Sequence, residues 1–351
     1  MTRYAFPSDN WAPADPAVLD AIAAVDEGFV KPYGQDGETA KLQAVYSDLF
    51  ERQAFVFPVP TGTAANGLAL ASITPGYGEI YCHAYSHIVT AEAGAVEFYT
   101  GGARLVPIAA DRGRIDVGAL REVLARKVPR GINAMQPASL CLTVPTENGA
   151  LYRPEEIAEL AAVAHGAGLM VHADGARFAS AIAALGCSPA DLSHRAGVDT
   201  LAFGCMKNGT LGAEAVVTFD PAIASRLAVL HKRAGLLSSK QRYLAAQLIA
   251  LVANGRWLEN ARLGNERANR IGDAVAALGD DALLVPVETN QVFCRLPPDI
   301  VSRLTRAGLE PSRWSAFGRD AFRLVLSFAD SDARVQQFID LLRGATCAQD
   351  T

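Results

Sequence analysis

The chain has 351 residues, of which 50% are hydrophobic and 20% are charged, a composition typical of a globular enzyme. Its net charge of -5 provides no basic patch, so we expect neither nucleic acid nor a membrane surface as a partner. No apolar run approaches the roughly 18 residues that cross a bilayer, and the first residues lack the pattern of a secretory signal. We therefore expect a cytoplasmic protein.

Strand-length apolar runs alternate with alanine-rich helical stretches between about residues 54 and 250. The predicted strands are 55–59, 79–82, 104–108, 139–144, 169–173, 200–204 and 214–219, with helical patterns such as 64–73, 154–166 and 176–185 between them. Because these strands are continuously apolar rather than alternating, they indicate a sheet that is covered on both faces. We predict an α/β fold with a mostly parallel seven-stranded sheet and helices on both sides.

The character of the chain changes after residue 240. Long helices are predicted at 241–254 and 257–278, followed by strands near 283–287, 291–296 and 322–328 and helices near 299–307 and 332–343. We interpret residues 1–35 as a loop-rich segment that contributes to the active site. Residues 36–250 form the large domain, and residues 251–351 form a small α+β C-terminal domain.

Two charged residues stand at the ends of predicted strands. Asp174 ends the run LMVHA, and Lys207 follows the run LAFGCM. Ligands of parallel sheets bind outside the carboxyl ends of the strands. A lysine amine can form a Schiff base with an aldehyde cofactor, and an aspartate can keep the pyridine nitrogen of that cofactor protonated. The pair indicates pyridoxal phosphate (PLP); the alternatives are a helix-capping aspartate and a solvated surface lysine.

The segment PTGTAANGLAL follows one predicted strand and opens a helix. Gly62 permits close approach of the backbone, Thr63 offers a hydroxyl, and the helix start presents amides, a combination that suits a phosphate. The alternative is that threonine only caps the helix. A nicotinamide site would need G-x-G-x-x-G, which is absent from this segment.

Four further residues are candidates for the same site. His87 begins a predicted helix, where an imidazole can stack on a flat ring, act as a base, or be a satisfied polar residue. Arg177 can place a cation near a cofactor's phenolic oxygen or a substrate carboxylate. Arg323 enters an apolar strand, where a carboxylate is the commonest partner. Glu92 is either a charge on a helix face or a carboxylate of the site.

The cysteines are scattered and include no C-x-x-C, which favours free thiols over disulfides. They are Cys82, Cys141, Cys187, Cys205, Cys294 and Cys347. Cys82, His83 and His87 superficially suggest a metal site, but no second cluster completes a set of ligands. We therefore predict no metal.

Taken together, these motifs closely resemble the threonine aldolases, within the β-eliminating-lyase group of fold type I PLP enzymes. The resemblance runs from SDN at 8–10 through YGQD, TGTAANGLAL, SHI and EAGA, HADGARFA, FGCMKNG, AEAVV and ETNQVF to RLVLSF at 323–328. The pattern is nearer to the low-specificity L-threonine aldolases than to tryptophanase-like lyases.

The resemblance implies a role for each residue around the cofactor. Lys207 would be the Schiff-base lysine, and Asp174 would be the partner of the pyridine nitrogen. Gly62 and Thr63 would hold the phosphate, and His87 would stack on the ring.

The resemblance also implies contacts with the substrate and with a second subunit. Ser8, Arg177 and Arg323 would bind the substrate carboxylate. Tyr33 and Arg242 look like residues that reach a site across a subunit interface. A homodimer or homotetramer with shared active sites is the implied assembly.

Two positions depart from the family pattern. Met206 stands where members often carry a serine or threonine that contacts the phosphate, and Glu147 stands where some members have a second active-site histidine. The identity of the general base therefore stays open between His87, a water held by Glu92, and His83.

The expected activity is retro-aldol cleavage of L-threonine, L-allo-threonine and related β-hydroxy-α-amino acids to glycine and an aldehyde. One alternative is an aldolase for a bulkier substrate such as phenylserine, and another is a PLP-dependent β-eliminating lyase. A non-catalytic binding protein on the same fold is the alternative from a different class.

Overall fold

Two β-sheets organise the chain. The computed structural model describes residues 4–126 and 131–344. Within these residues the strands are β1 (Tyr4–Ala5), β2 (Phe55–Val59), β3 (Gly78–His83), β4 (Arg104–Ile108), β5 (Gln136–Thr143), β6 (Met170–Gly175), β7 (Thr200–Phe203), β8 (Glu214–Thr218), β9 (Gln291–Arg295), β10 (Glu310–Arg313) and β11 (Ala321–Val325).

Six of the thirteen α-helices in the described residues begin at a capping side chain, as with Asp36, Asp220 and Ser331, which accept hydrogen bonds from first-turn amides. The helices are α1 (Pro16–Ala24), α2 (Gly37–Leu49), α3 (Gly62–Ile73), α4 (His87–Thr90), α5 (Ala95–Thr100), α6 (Val117–Ala125), α7 (Pro154–Gly166), α8 (Phe178–Leu185), α9 (Pro221–Arg233), α10 (Arg242–Ala253), α11 (Arg256–Ala276), α12 (Pro298–Arg306) and α13 (Asp332–Leu342). None of the described helices is long and apolar enough to span a membrane.

The larger sheet has seven strands in the order β2-β8-β7-β6-β5-β3-β4. β8 pairs antiparallel with both of its neighbours, and the other pairings are parallel. The carboxyl ends of β6 and β7 therefore meet at one edge of the sheet, with Asp174 opposite Ala202. The predicted mostly parallel, seven-stranded sheet is confirmed.

Side chains of the large sheet alternate between two apolar cores, one on each face. Leu201 and Phe203 of β7 belong to the first core, which also takes residues from α2, α7, α8 and α10. Ala202, between them, belongs to the second core, with residues from α3, α5 and α9. Because both faces are buried, the strands read as continuous apolar runs.

The smaller sheet has the order β1-β10-β11-β9, and α11, α12 and α13 share its apolar core. Two of its strands, β1 and β10, were not predicted. The predicted strand at 283–287 is wrong, since this segment forms a single bridge, between Leu283 and Cys294. Pro286 lacks the amide hydrogen that a ladder needs. The predicted boundaries after residues 35 and 250 stay predictions, and β1 ties the N-terminal segment to the C-terminal sheet.

Candidate active site

Asp174 and Lys207 lie at the same edge of the large sheet. Asp174 is near the carboxyl end of β6, and Lys207 lies in a short 3-10 helix (Met206–Asn208) that follows β7. Both residues line one cavity of about 190 Å³. The structure therefore brings together the two residues on which the sequence interpretation depends.

The amino end of α3 forms another wall of this cavity. The Thr61 hydroxyl caps the helix by accepting a hydrogen bond from the amide of Ala64 at 3.1 Å. Other amides of a first helical turn have no partner within the helix, and they carry the positive end of its dipole. Gly62 and Thr63 occupy this turn, and a Cβ on Gly62 would meet no atom within 4 Å. The wall offers amide donors beside open space, as a phosphate requires.

Asp174 is buried, with 2% of its surface exposed. Its carboxylate accepts hydrogen bonds from the amide of Ala176 at 3.1 Å and from the side-chain amide of Asn66 at 3.2 Å. These two donors fix the orientation of the carboxylate in the cavity wall. Sequence reasoning missed Asn66, although its position four residues after Gly62 places both on one face of α3.

His87 and Glu92, which also line the cavity, form a hydrogen-bonded pair. His87 Nδ1 lies 2.8 Å from Glu92 Oε1, and the Glu92 side chain is fully buried. The hydrogen bond to Glu92 raises the pKa of His87, and burial opposes that rise. Because Nδ1 is engaged by the carboxylate, Nε2 is the nitrogen left for chemistry in the cavity. Glu92 is therefore a buried partner of the histidine rather than a charge on a helix face.

His83, the third candidate base, is engaged by backbone groups at both nitrogens. Its Nδ1 accepts from the amide of Tyr85 at 3.0 Å, and its Nε2 lies 3.0 Å from the carbonyl oxygen of Ala110. Burial lowers the pKa of His83. These contacts favour a structural role, so His87 is the better candidate for the base. Among the described residues, no group of three His, Cys, Asp or Glu side chains could hold a metal ion.

Arg177 meets a partner that sequence reasoning did not identify. Its Nε and Nη2 donate to the two carboxylate oxygens of Asp9 at 2.7 and 2.8 Å, and Asn290 donates to the same carboxylate at 3.0 Å. Burial alone would raise the pKa of Asp9, but the nearby charges and hydrogen bonds, chiefly those of Arg177, together outweigh it and lower that pKa. Ser8 caps the short helix that carries Asp9, by accepting from the amide of Asn10. Arg177, one of the residues predicted to bind the substrate carboxylate, is thus already paired with Asp9.

Arg323 has a different environment. Its guanidinium stacks on the ring of Trp314, 3.8 Å from the ring centroid. Burial and the nearby charge of Arg177 lower the pKa of Arg323 to about 10, so this side chain is still a cation at neutral pH. A partly buried cation that stacks on a ring is well suited to a carboxylate from a ligand.

Comparisons with known proteins agree with this geometry. The family model for β-eliminating lyases matches residues 5–297. The chain belongs to the β-eliminating lyase family. A low specificity L-threonine aldolase from Pseudomonas sp. (strain NCIMB 10558) is 34% identical, over 98% of this chain and 98% of the relative. One from Pseudomonas aeruginosa is 35% identical, over 97% and 98%.

A solved structure of threonine aldolase from Leishmania major has a TM-score of 0.89 and 25% identity to this chain, and it covers 97% of this chain and 98% of that one. The predicted fold type I architecture and the resemblance to low-specificity L-threonine aldolases are both confirmed. This β-eliminating lyase is a PLP-dependent enzyme.

The residues around the cavity fit that cofactor. The amides of α3 suit its phosphate, because nothing fills the space in front of Gly62. The carboxylate of Asp174 suits its pyridine nitrogen, and the amine of Lys207 suits its aldehyde carbon. All three groups line the same cavity.

Five predicted site residues of this lyase do not line the cavity within one chain, namely Ser8, Tyr33, Arg177, Arg242 and Arg323. Tyr33 is half exposed, and its ring lies 3.9 Å below the ammonium group of Lys232. Arg242 begins α10 and donates to the hydroxyl of Tyr243 at 3.1 Å. Their predicted contacts with a site across a subunit interface stay predictions.

Glu214 is a functional candidate that sequence reasoning missed. This buried residue of β8 lines the cavity and accepts hydrogen bonds from the amides of Cys205 and Met206, at 2.5 and 3.3 Å. Burial raises the pKa of Glu214 to about 7, against the opposing effects of the two amides and of Lys207. Its carboxylate therefore holds the turn that carries Lys207. Met206, as expected, supplies no hydroxyl there.

A second cavity, of about 440 Å³, is lined by residues on both sides of the site. Tyr85 and Thr90 flank His87 in sequence, and Trp314 is the stacking partner of Arg323. Glu147 also lines this second cavity, and it is close enough to influence the pKa values of His87 and Arg323. Glu147, which stands where some family members have a histidine, thus lines a large cavity beside the site.

Proposed function

We propose that this lyase cleaves L-threonine, L-allo-threonine and related β-hydroxy-α-amino acids to glycine and an aldehyde. The observation that carries the proposal is the convergence of Lys207, Asp174 and the amino end of α3 on one cavity. The names of the two bacterial relatives support the choice of reaction.

The chain's residues divide the work of holding the cofactor. Lys207 would bind the aldehyde carbon, Asp174 would hold the proton on the pyridine nitrogen, and the amides of Gly62 and Thr63 would receive the phosphate. His87 would pack against the ring. When bound, PLP withdraws electrons from the α-carbon of the substrate, which lowers the barrier to breaking a bond at that carbon.

Arg323 and His87 act on the substrate itself, and other side chains support them. Arg323 binds the substrate carboxylate, with Arg177 and Ser8 next to it, and so sets which α-carbon bond is exposed to cleavage. His87 Nε2 takes the proton of the β-hydroxyl as the Cα–Cβ bond breaks and the aldehyde leaves. Glu92 stabilises the resulting imidazolium through its hydrogen bond at Nδ1. A proton returned to the α-carbon completes glycine.

The test is a product assay on the wild-type protein and on Lys207→Ala. Wild-type protein loaded with PLP should release equal amounts of glycine and acetaldehyde from L-threonine. Lys207→Ala should lose the visible absorbance of bound PLP and at least a thousandfold in rate, whereas Lys41→Ala, at an exposed position on α2, should behave as wild type. Glycine release by Lys207→Ala at the wild-type rate would overturn the assignment.

The second cavity favours one alternative, an aldolase for a bulkier substrate. Its volume of about 440 Å³ and its lining by Tyr85 and Trp314 leave room for an aromatic β-substituent. A comparison of kcat/KM for L-phenylserine and for L-threonine decides between the two. The β-eliminating alternative is distinguished by its products, since elimination yields a keto acid and ammonia in place of glycine.

The proposal includes an assembly and a location. Tyr33 and Arg242 serve the active site of a second subunit, in a homodimer or homotetramer; their absence from the lining of the chain's own cavity supports this. A cytoplasmic location is supported by free thiols at five of the cysteines, whereas Cys347 lies outside the described residues.

A further inference from the structure

A line of buried polar side chains begins in the cavity wall with Asp174, Glu92 and Asn66. It continues to His172 and Thr200, which have no part in the proposed mechanism. His172 Nδ1 lies 3.0 Å from the hydroxyl of Thr200, and His172 Nε2 lies 3.1 Å from Asn66 Oδ1. Asn66 Nδ2 lies 2.8 Å from Glu92 Oε1 and 3.2 Å from Asp174 Oδ2. All five side chains are buried.

When both carboxylates are ionised, the contacts fit one orientation of the Asn66 amide. An amide nitrogen has two hydrogens, and here each points to one carboxylate. The reverse orientation would bring the amide oxygen against two carboxylate oxygens, with no hydrogen between them. Asn66 Oδ1 therefore faces His172 and must receive a hydrogen from Nε2.

This requirement also determines the state of His172. Burial lowers the pKa of His172 to about 4, so the ring is neutral at neutral pH. A neutral ring with a hydrogen on Nε2 has an acceptor at Nδ1. The Thr200 hydroxyl, at 3.0 Å, supplies it with a hydrogen, and the carbonyl oxygen of Thr200 lies farther away at 3.2 Å. Thr200 and His172 thus hold the amide of Asn66 with its NH2 group toward the two acids.

The shared donor matters because the two acids are close together. Both carboxylates bond the same nitrogen, so the bonded oxygens lie within about 6 Å of each other, where like charges disfavour ionisation. The other titratable groups near these acids are His87, Cys141, Arg177, Glu214 and Lys207. His87 and Lys207 already have roles, and Arg177 is paired with Asp9.

We propose that Asn66, oriented by His172 and Thr200, is a positioning residue that keeps Asp174 and Glu92 ionised at the same time. One amide thereby ties the partner of the pyridine nitrogen to the partner of the catalytic histidine. The inference rests on the proposed function, since it takes the assigned roles of Asp174 and His87 as given.

The test measures the dissociation constant of PLP from the protein between about pH 6 and pH 8.5, without substrate. Asn66→Leu has a similar size but no donor, so one acid of the pair takes up a proton more readily as the pH falls. Its dissociation constant should exceed that of wild type by about tenfold or more at pH 6. The ratio of the two constants should shrink by at least about threefold toward pH 8.5.

Matched variants separate positioning from packing. His172→Leu should resemble Asn66→Leu, and His172→Gln, which keeps an N–H donor, should restore most of the affinity. Thr74→Val removes a buried hydroxyl that pairs with Ser139 at the far end of α3 and should leave PLP binding unchanged.

Each possible outcome decides the question. A ratio that is the same at every pH, even with a lower melting temperature, would mean that Asn66 only packs, and the inference would be wrong. Unchanged affinity in Asn66→Leu would also overturn it. If wild-type protein itself binds no PLP, the proposed function fails instead, so the two failures are distinguishable.

Discussion

The pair formed by Asp9 and Arg177 gives the sharpest prediction about stability. Asp9 is 2% exposed and the side chain of Arg177 is 8% exposed, and two hydrogen bonds of 2.7 and 2.8 Å join them. Asp9→Asn keeps the shape of the side chain and removes its charge, so Arg177 is left buried without a counter-ion. Breaking such a pair from one side costs about 3–5 kcal/mol of unfolding free energy.

The effect should depend on pH with a defined sign. In the folded protein the pKa of Asp9 lies below its ordinary value of 3.8, because Arg177, Lys207 and Asn290 together outweigh the effect of burial. The stabilisation is therefore fully present above about pH 4 and is lost as the pH falls through the lower, folded value. The difference in stability between wild type and Asp9→Asn should be constant near neutral pH and should shrink in acid.

Urea unfolding at a fixed protein concentration, followed by tryptophan fluorescence, measures this difference. The double variant Asp9→Asn with Arg177→Met should recover more than about 1 kcal/mol, because it removes the stranded cation. As a control, Glu122→Gln breaks a pair with Arg126 in which both side chains are more than half exposed, and it should cost less than about 1 kcal/mol. A loss below about 1 kcal/mol for Asp9→Asn, or simple additivity in the double variant, would refute the reasoning.

Three further predictions concern catalysis. Arg323→Met should raise KM for L-threonine by about 10–100-fold through loss of a charge-assisted contact with the carboxylate, and an unchanged KM in steady-state assays would remove Arg323 from that role. Because the pKa of His87 lies above 6.5, kcat should rise with pH through a value above 6.5, and His87→Phe should lose this limb of the pH profile along with most of the rate. Tyr85→Ala, on the wall of the larger cavity, should lower kcat/KM for phenylserine at least about threefold more than for threonine; equal losses would show that the cavity does not receive the β-substituent.

The sequence by itself determined the main sheet and the centre of the site. Continuous apolar runs indicate strands that are buried on both faces of a sheet, because every side chain of such a strand packs against a helix. The topology of a parallel sheet then places the residues that follow neighbouring strands at one edge, which is why Asp174 and Lys207 could be paired before their positions were known. The capping pattern at Thr61 to Thr63 is equally local, since it depends on one helical turn.

Only the tertiary structure decided which partners these residues have. Asp9 is separated from Arg177 by 168 residues, and Asn66 is separated from Asp174 by 108. Periodicity and capping rules act over a few residues, so they carry no information about such pairs. The strand β1 illustrates the same limit, because its two residues pair with β10 at the other end of the chain and have no pattern of their own. Contacts of this kind exist because two buried polar groups must satisfy each other once the cores on either side of them have formed.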